Sequence, residues 1–251
     1  MSISALQHQD KDFQKFLERV KELGGQKLLT SLHTLPILRL IFDAQCFVRQ
    51  RPQQKMLNVF ASQDDSGFRE NVYKPLFEGS IYDTIDFWED KFIYQGETLP
   101  NSYTLPFPDE TFDAVITTKV LLEHISEPAE TIKEIARVLK PKGEAFIIAP
   151  FAMVIHQQPY DFFRYTEYGL QYLFKKAGFE IIYIRPTLSG FMTTVDAFMM
   201  FNFYGLFPNF IARRLKRYSK RWLIPFAEFL DKRIPDQGRF CRHYICRVQK
   251  L

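Results

Sequence analysis

From Met56 onward the chain alternates short, β-rich apolar runs with stretches that carry apolar residues at helical spacing, a pattern of βαβ units wound into a parallel sheet. Strands are expected at Met56 to Phe60, Ser80 to Phe87, Phe112 to Thr118 and Glu144 to Ala149. The last two are almost uninterrupted apolar runs, as suits strands covered on both faces. Between them, a helix opens at Glu127-Pro128, shows Ile132, Ile135, Ala136 and Leu139 on one face and stops at Pro141-Lys142-Gly143. A second helix follows Thr166 as N-cap, with Leu170, Leu173, Phe174 and Ala177 as its apolar stripe and Gly178 as its terminal glycine. Phe179 to Ile184 is then a strand. The region from Pro186 to Gln237 breaks the alternation with a helical, aromatic-rich insert, and Phe240 to Val248 closes an interrupted hairpin at the sheet edge.

Ahead of the alternating region, Phe13, Phe16, Leu17 and Val20 give Asp10 to Leu23 an amphipathic helix that stops at Gly24-Gly25. A second apolar stretch, Leu28 to Val48, is interrupted by Pro36 and passes into a polar linker, Arg49 to Lys55. This divides the chain into a helical extension over 1–55 and a main domain over 56–251, with the insert at about 187–238. Cys46, Cys241 and Cys246 form no CxxC pair and cannot all pair with one another, so they read as reduced thiols and imply no metal site. Met1 to Asp10 lacks the basic start and apolar run of a secretory signal, which points to a cytoplasmic protein. A net charge of +4 is too modest to call for a nucleic-acid partner.

Four stretches in fixed order carry more specific information. They are Leu105-Pro106-Phe107-Pro108-Asp109-Glu110-Thr111-Phe112-Asp113, then Val120-Leu121-Leu122-Glu123-His124, then Arg137-Val138-Leu139-Lys140-Pro141-Lys142-Gly143, and last His156 to Thr166. They resemble the LPFPDxxFD, VLEH, RVLKPGG and HxxPxDxxRYT elements of the small-molecule branch of class I S-adenosylmethionine-dependent methyltransferases. The second carries one extra leucine. The resemblance covers roughly residues 56 to 185 and implies a Rossmann-like, mostly parallel sheet with helices on both faces, S-adenosyl-L-methionine as cofactor, and a small-molecule acceptor.

That family places its cofactor at the carboxyl ends of the central strands, as other open α/β sheets do. Its first motif is a strand carrying an acid, followed by a glycine-rich turn where backbone approaches the cofactor closely. Here Asn58 stands at the acid's position, and Phe60, Ser62 and Asp64 stand at the glycine positions. Either a rebuilt loop using Gly67 and the backbone of Ser62 to Ser66 holds the cofactor, or binding is lost and the fold serves as a scaffold. Asp86 matches the acid that accepts both ribose hydroxyls, a role suited to a carboxylate's two oxygens. Asn101 matches the acid near the adenine amine, and Thr118, ending its strand, completes the implied cofactor set of Asn58, Phe60, Ser62, Asp86, Asn101 and Thr118.

His156 and Tyr160 lie in a loop after a strand at the expected active-site end, where either can act as general base or position an acceptor. For Asp161 and Arg164 a salt bridge capping the next helix is the favoured reading. Glu123-His124 can line the cofactor pocket or pack at a helix start. In the insert, Phe191, Met192, Val195, Phe198 and Met199 precede further aromatics and then Arg213, Arg214, Lys216, Arg217, Lys220 and Arg221. Asp196, Asn202, Pro208 and Asn209 interrupt any run of the ~20 apolar residues that a membrane span needs. Three readings of residues 191–221 stay open: a lid over an apolar acceptor, a peripheral element on anionic lipid, and a helical cap with a solvated basic face. The expected function is methyl transfer to a small, apolar or lipid-linked acceptor; the alternative is an inactive fold acting as a binding or membrane-associated module.

Overall fold

The computed structural model describes residues 11–29, 34–50, 53–59, 72–88, 91–95, 97–99, 103–118, 122–188, 190–203, 208–234 and 239–251. Their strands are β1 (Lys55–Val59), β2 (Ile81–Trp88), β3 (Lys91–Tyr94), β4 (Glu97–Thr98), β5 (Phe112–Thr117), β6 (Leu139–Pro150), β7 (Phe179–Pro186) and β8 (His243–Lys250). They form one sheet in the order β4-β3-β2-β1-β5-β6-β8-β7. β2, β1, β5 and β6 run parallel, β8 lies antiparallel between β6 and β7, and β3 folds back on the end of β2. The expected mostly parallel α/β sheet is therefore present, because only β3 and β8 oppose the common direction. The β3–β4 hairpin is an addition: after Trp88 the chain turns back at the sheet edge instead of crossing over through a helix.

Successive residues of a strand point to opposite faces, and the central strands are apolar on both. Leu57, Val59, Val115, Ala145 and Ile147 face one core, shared with Ile132 and Ile135 of α4 (Pro128–Val138) and Leu170 and Phe174 of α5 (Glu167–Lys176). Met56, Ala114, Ile116, Phe146 and Ile148, one residue out of phase, face a second core. Phe13, Phe16 and Val20 of α1 (Lys11–Glu22) join that second core, with Leu38 and Ile41 of α3 (Thr34–Arg49). A short helix α2 (Gln26–Leu29) connects the two. The N-terminal helices are thus one of the layers that cover the sheet. Pro36 lies in the first turn of α3, where a missing N–H costs nothing, so it begins a helix that the sequence suggested it would break.

Two of the recurrent motifs meet through Arg137. Its guanidinium donates to Phe107 O at 2.8 Å, Leu105 O at 3.0 Å, Asp109 Oδ1 at 2.7 Å and both oxygens of Glu134 at 2.8 Å. Glu134 in turn accepts from the Leu105 amide at 2.9 Å. The loop entering β5 is therefore clamped to α4 by one side chain that satisfies its carbonyls. Lys140 spans both oxygens of Asp113 at 2.9 Å, and any Cβ at position 143 would meet Lys140 O at 2.9 Å and Asp113 O at 3.0 Å, which explains glycine there.

The insert comprises α6 (Gly190–Phe203), α7 (Asn209–Tyr218), a π-helical turn (Ser219–Leu223) and α8 (Ile224–Arg233). Asp231 of α8 accepts from the amides of Phe191 and Met192, both at 3.0 Å, so a carboxylate on one helix caps the positive end of another. Asp196, which interrupts the apolar run, is buried and paired with Arg242 at the entrance to β8. That pair fastens the insert to the sheet.

Candidate cofactor and acceptor site

The carboxyl ends of β1, β2, β5 and β6 gather most of the described candidate residues. Asn58 of β1 and Thr118, just beyond β5, are fully buried and bonded to each other: Asn58 Nδ2 lies 3.1 Å from Thr118 Oγ1, which lies 3.3 Å from Asn58 Oδ1. Their amide and hydroxyl thus serve one another. Asp86 is half-buried one residue beyond the last β1–β2 pair, Val59 with Ile85, and pairs across β3 with Ile93. It marks where β2 leaves the parallel sheet for the edge hairpin, at the carboxyl end of the strand next to the β1–β5 switch point, the end of an α/β sheet where ligands bind. Phe60, Ser62, Asn101 and Gly67 lie outside the described residues.

A second group forms around the turn that follows β5. Leu122, Glu123 and His124 make a buried 3-10 turn, and the loop after β6 is fastened to it residue by residue. Tyr165 donates its hydroxyl to Leu122 O at 2.8 Å, the Phe162 amide donates to Glu123 O at 2.7 Å, and His124 Nδ1 donates to Tyr160 O. These bonds give a physical reason for the LLEH and HQQPYDFFRYT stretches to occur together. Arg164 grips Asp161 through both oxygens, at 2.6 and 2.9 Å, and reaches Met153 O at 3.2 Å and Val154 O at 3.0 Å. The expected Asp161–Arg164 salt bridge therefore exists, but it ties the loop to its own start; the cap of α5 is Thr166, whose Oγ1 accepts from the Gly169 amide at 3.1 Å.

His156 is held at both ends of its backbone and ring. Its amide donates to Asp161 Oδ2 at 2.8 Å, and its Nδ1 sits 3.0 Å from Val154 O. In the neutral form of the ring, Nδ1 donating to this carbonyl leaves the lone pair on Nε2. That nitrogen lies 3.9 Å from Glu123 Oε1, and His124 Nε2 lies 3.8 Å from the same oxygen. The two imidazoles meet edge to face at 4.9 Å. Tyr160 is half-buried, and it contributes its backbone carbonyl to this group through His124.

Burial pushes the Glu123 carboxyl up to about 8, although its own backbone and the nearby Arg164 pull the other way. Burial also draws His124 below the ordinary imidazole range. Burial alone would raise Asp161, but hydrogen bonds from Arg164 and the His156 amide hold it below the usual carboxylate range. The Asp161 bonds in turn raise Arg164. At neutral pH the site therefore contains a neutral Glu123 carboxyl, a neutral His124 imidazole and the fixed Asp161–Arg164 ion pair.

Residues 88–147, from the end of β2 to the middle of β6, match the family model described as a methyltransferase domain. Over this stretch the chain is similar to that family. Two curated relatives are uncharacterized methyltransferases. One, from Schizosaccharomyces pombe, is 49% identical over 45 residues, which are 18% of this chain and 16% of the relative. The other, YcgJ of Bacillus subtilis, is 40% identical over 58 residues, 23% of this chain and 20% of the relative. The chain thus matches a fifth or less of the length of either relative. Among solved structures, the [4+2]-cyclase SpnF is 18% identical with a TM-score of 0.46, over 83% of this chain and 80% of that one. A Burkholderia thailandensis 1,6-didemethyltoxoflavin-N1-methyltransferase with bound S-adenosylhomocysteine is 11% identical with a TM-score of 0.45, over 95% of this chain and 86% of that one.

The methyltransferase stretch holds the Arg137 clamp and the Glu123-His124 turn, while Asn58, Asp86 and His156 lie outside it. The sequence singled out His156 and Tyr160 for chemistry; the fold brings the His156 ring beside Glu123 and His124, while Tyr160 meets His124 through its backbone carbonyl. Those two were legible only as neighbours in a motif. What marks them in the methyltransferase domain is burial: an acid and a histidine at 1% and 5% exposure are an uncommon content for a short turn.

Proposed function

We propose that the chain transfers a methyl group from S-adenosylmethionine to a small acceptor that is apolar or lipid-linked. The observation that carries this reading is Asp86, a half-buried carboxylate at the carboxyl end of β2, beside a stretch, residues 88–147, that matches the methyltransferase-domain family model. Its two acceptor oxygens suit a ribose diol. Asn58 and Thr118 suit a different task, since they are buried and bonded to each other and thereby hold the ends of β1 and β5 in register.

When bound, the cofactor supplies an electrophilic methyl on a sulfonium. The chain's contribution is then chiefly to align the acceptor's lone pair and exclude water. His156, whose ring is oriented by the bond from Nδ1 to Val154 O, is the group assigned to take the acceptor's proton through Nε2. Tyr160, half-buried in the same loop, is assigned the role of orienting the acceptor.

The insert supports the apolar part of the reading. Phe210, Tyr218, Trp222 and Phe226 are 67%, 58%, 58% and 58% exposed. Arg214, Arg217 and Arg221 are also exposed and recur with Phe210 at spacings of four, three and four, so they share one helical face. Aromatics beside arginines match a surface that rests on anionic lipid, and this is where a lipid-linked acceptor would be met. Among the described residues no helix is long and apolar enough to cross a membrane.

A second reading, a non-catalytic binding module, draws on the use of Asn58 and Thr118 by each other. Incubation with methyl-labelled S-adenosylmethionine and fractionated cell extract separates the two. Label entering the organic-soluble fraction is the expected result, label confined to the aqueous fraction contradicts an apolar acceptor, and no transfer to either favours the binding module.

A further inference from the structure

We propose that Glu123, His124 and His156 bind a divalent transition-metal ion of the zinc class. One ligand atom from each residue lies within 4.8 Å of the others, with both imidazole Nε2 atoms at 3.8 and 3.9 Å from Glu123 Oε1. Those distances are too long for hydrogen bonds. Three potential ligand atoms therefore lie together with no hydrogen bond between them.

The unpartnered carboxylate and the orientation of both imidazoles favour a cation there. Both Glu123 oxygens are buried without a hydrogen-bond partner, although the carboxylate is 1% exposed. A buried carboxylate of this kind is costly unless it is protonated or meets a positive charge. Arg164, the nearest guanidinium in the loop, commits its hydrogens to Asp161 and to the carbonyls of Met153, Val154 and Phe163, leaving Glu123 to another partner. Each histidine donates Nδ1 to a backbone carbonyl, His124 to Tyr160 and His156 to Val154. This is how histidines that ligate metals are oriented, because the outer bond fixes the tautomer that turns Nε2 inward.

The donor set selects the ion. Two imidazoles and one carboxylate suit zinc, cobalt, nickel or iron and disfavour magnesium and calcium, which prefer all-oxygen sites. Zinc bonds of ~2.0–2.2 Å put tetrahedral ligand atoms roughly 3.3 Å apart. Each Glu–His edge thus needs to close by roughly half an ångström, within reach of small side-chain rotations. Three protein ligands leave a fourth position for water or an acceptor oxygen, the arrangement found in catalytic zinc sites. A metal held there takes the His156 Nε2 lone pair and so displaces the general-base role given to His156, while the test of binding needs neither cofactor nor acceptor.

The test titrates chelator-treated full-length protein with zinc chloride by calorimetry and with cobalt chloride by visible absorption. One equivalent of zinc per chain is expected, and cobalt should give the intense d–d bands of low coordination number. Loss of outer partners alone weakens metal sites ~10–100-fold, so Glu123→Gln, His124→Ala and His156→Ala should each lose at least about 100-fold in affinity. Glu123→Gln preserves shape, and its circular dichroism checks that the fold is retained. Absence of stoichiometric uptake by the wild type overturns the site. Uptake undiminished in folded Glu123→Gln and His156→Ala overturns it too, because the metal would then be held elsewhere.

Discussion

Asn58 and Thr118 bond side chain to side chain at 3.1 Å, joining the carboxyl ends of two adjacent parallel strands in a position shielded from water. Leaving a buried polar group without its partner costs about 1–3 kcal/mol. Thr118→Val, which keeps the shape and removes the hydroxyl, should lower stability by that amount in urea denaturation. Unchanged stability would show that the pair contributes nothing to holding β1 against β5.

Arg137 is the second internal tie whose worth is measurable. Arg137→Met retains the aliphatic stem but strips donors from Leu105 O, Phe107 O, Asp109 and Glu134. Bonds to a charged donor are worth ~1.5–3 kcal/mol, and partial exposure reduces the share from Asp109. A loss on the order of 2 kcal/mol in equilibrium unfolding is expected, and a change below about 0.5 kcal/mol, typical of an uninvolved surface position, would refute the clamp.

The succession of strands and helices was legible because βαβ patterning and caps are local, although α4 ends at Val138 and Leu139 already opens β6, ahead of the expected stop at Pro141. Pro128, Thr166 and Gly178 all act where the pattern placed them, with Gly178 at a positive φ of 84°. What was not legible depends on contacts between distant positions. Pro36 reads as a break because sequence alone does not fix where a helix begins. Asp196 reads as an interruption because its partner, Arg242, stands 46 residues away. The β3–β4 hairpin is hidden by its short strands, the second of only two residues. In the site, His156 and Tyr160 stood out by residue type and loop position. The meeting of His156 with Glu123 depends on the bonds from 160, 162 and 165 to 124, 123 and 122, which no spacing rule encodes.

The exposed face of the insert leads to a third prediction. Each basic residue close to an anionic surface contributes about 1 kcal/mol. Replacing Arg214, Arg217 and Arg221 together by Gln should therefore weaken binding to anionic vesicles by about 3 kcal/mol in flotation assays at low salt. Raised salt should act on the wild type in the same direction, because the attraction is screened. A wild-type protein that fails to float with anionic vesicles at low salt would leave the insert as a cap or lid.

Calorimetric titration with S-adenosylmethionine bears most directly on the central claim. Wild-type protein is expected to bind one equivalent saturably, and Asp86→Ala to bind more weakly by roughly 1.5–3 kcal/mol, the worth of hydrogen bonds to a charged acceptor. That corresponds to a loss of about 10- to 150-fold in affinity. Folded wild-type protein that gives no saturable heat would contradict the methyltransferase account, and an unchanged affinity in folded Asp86→Ala would contradict the place given to Asp86 within it.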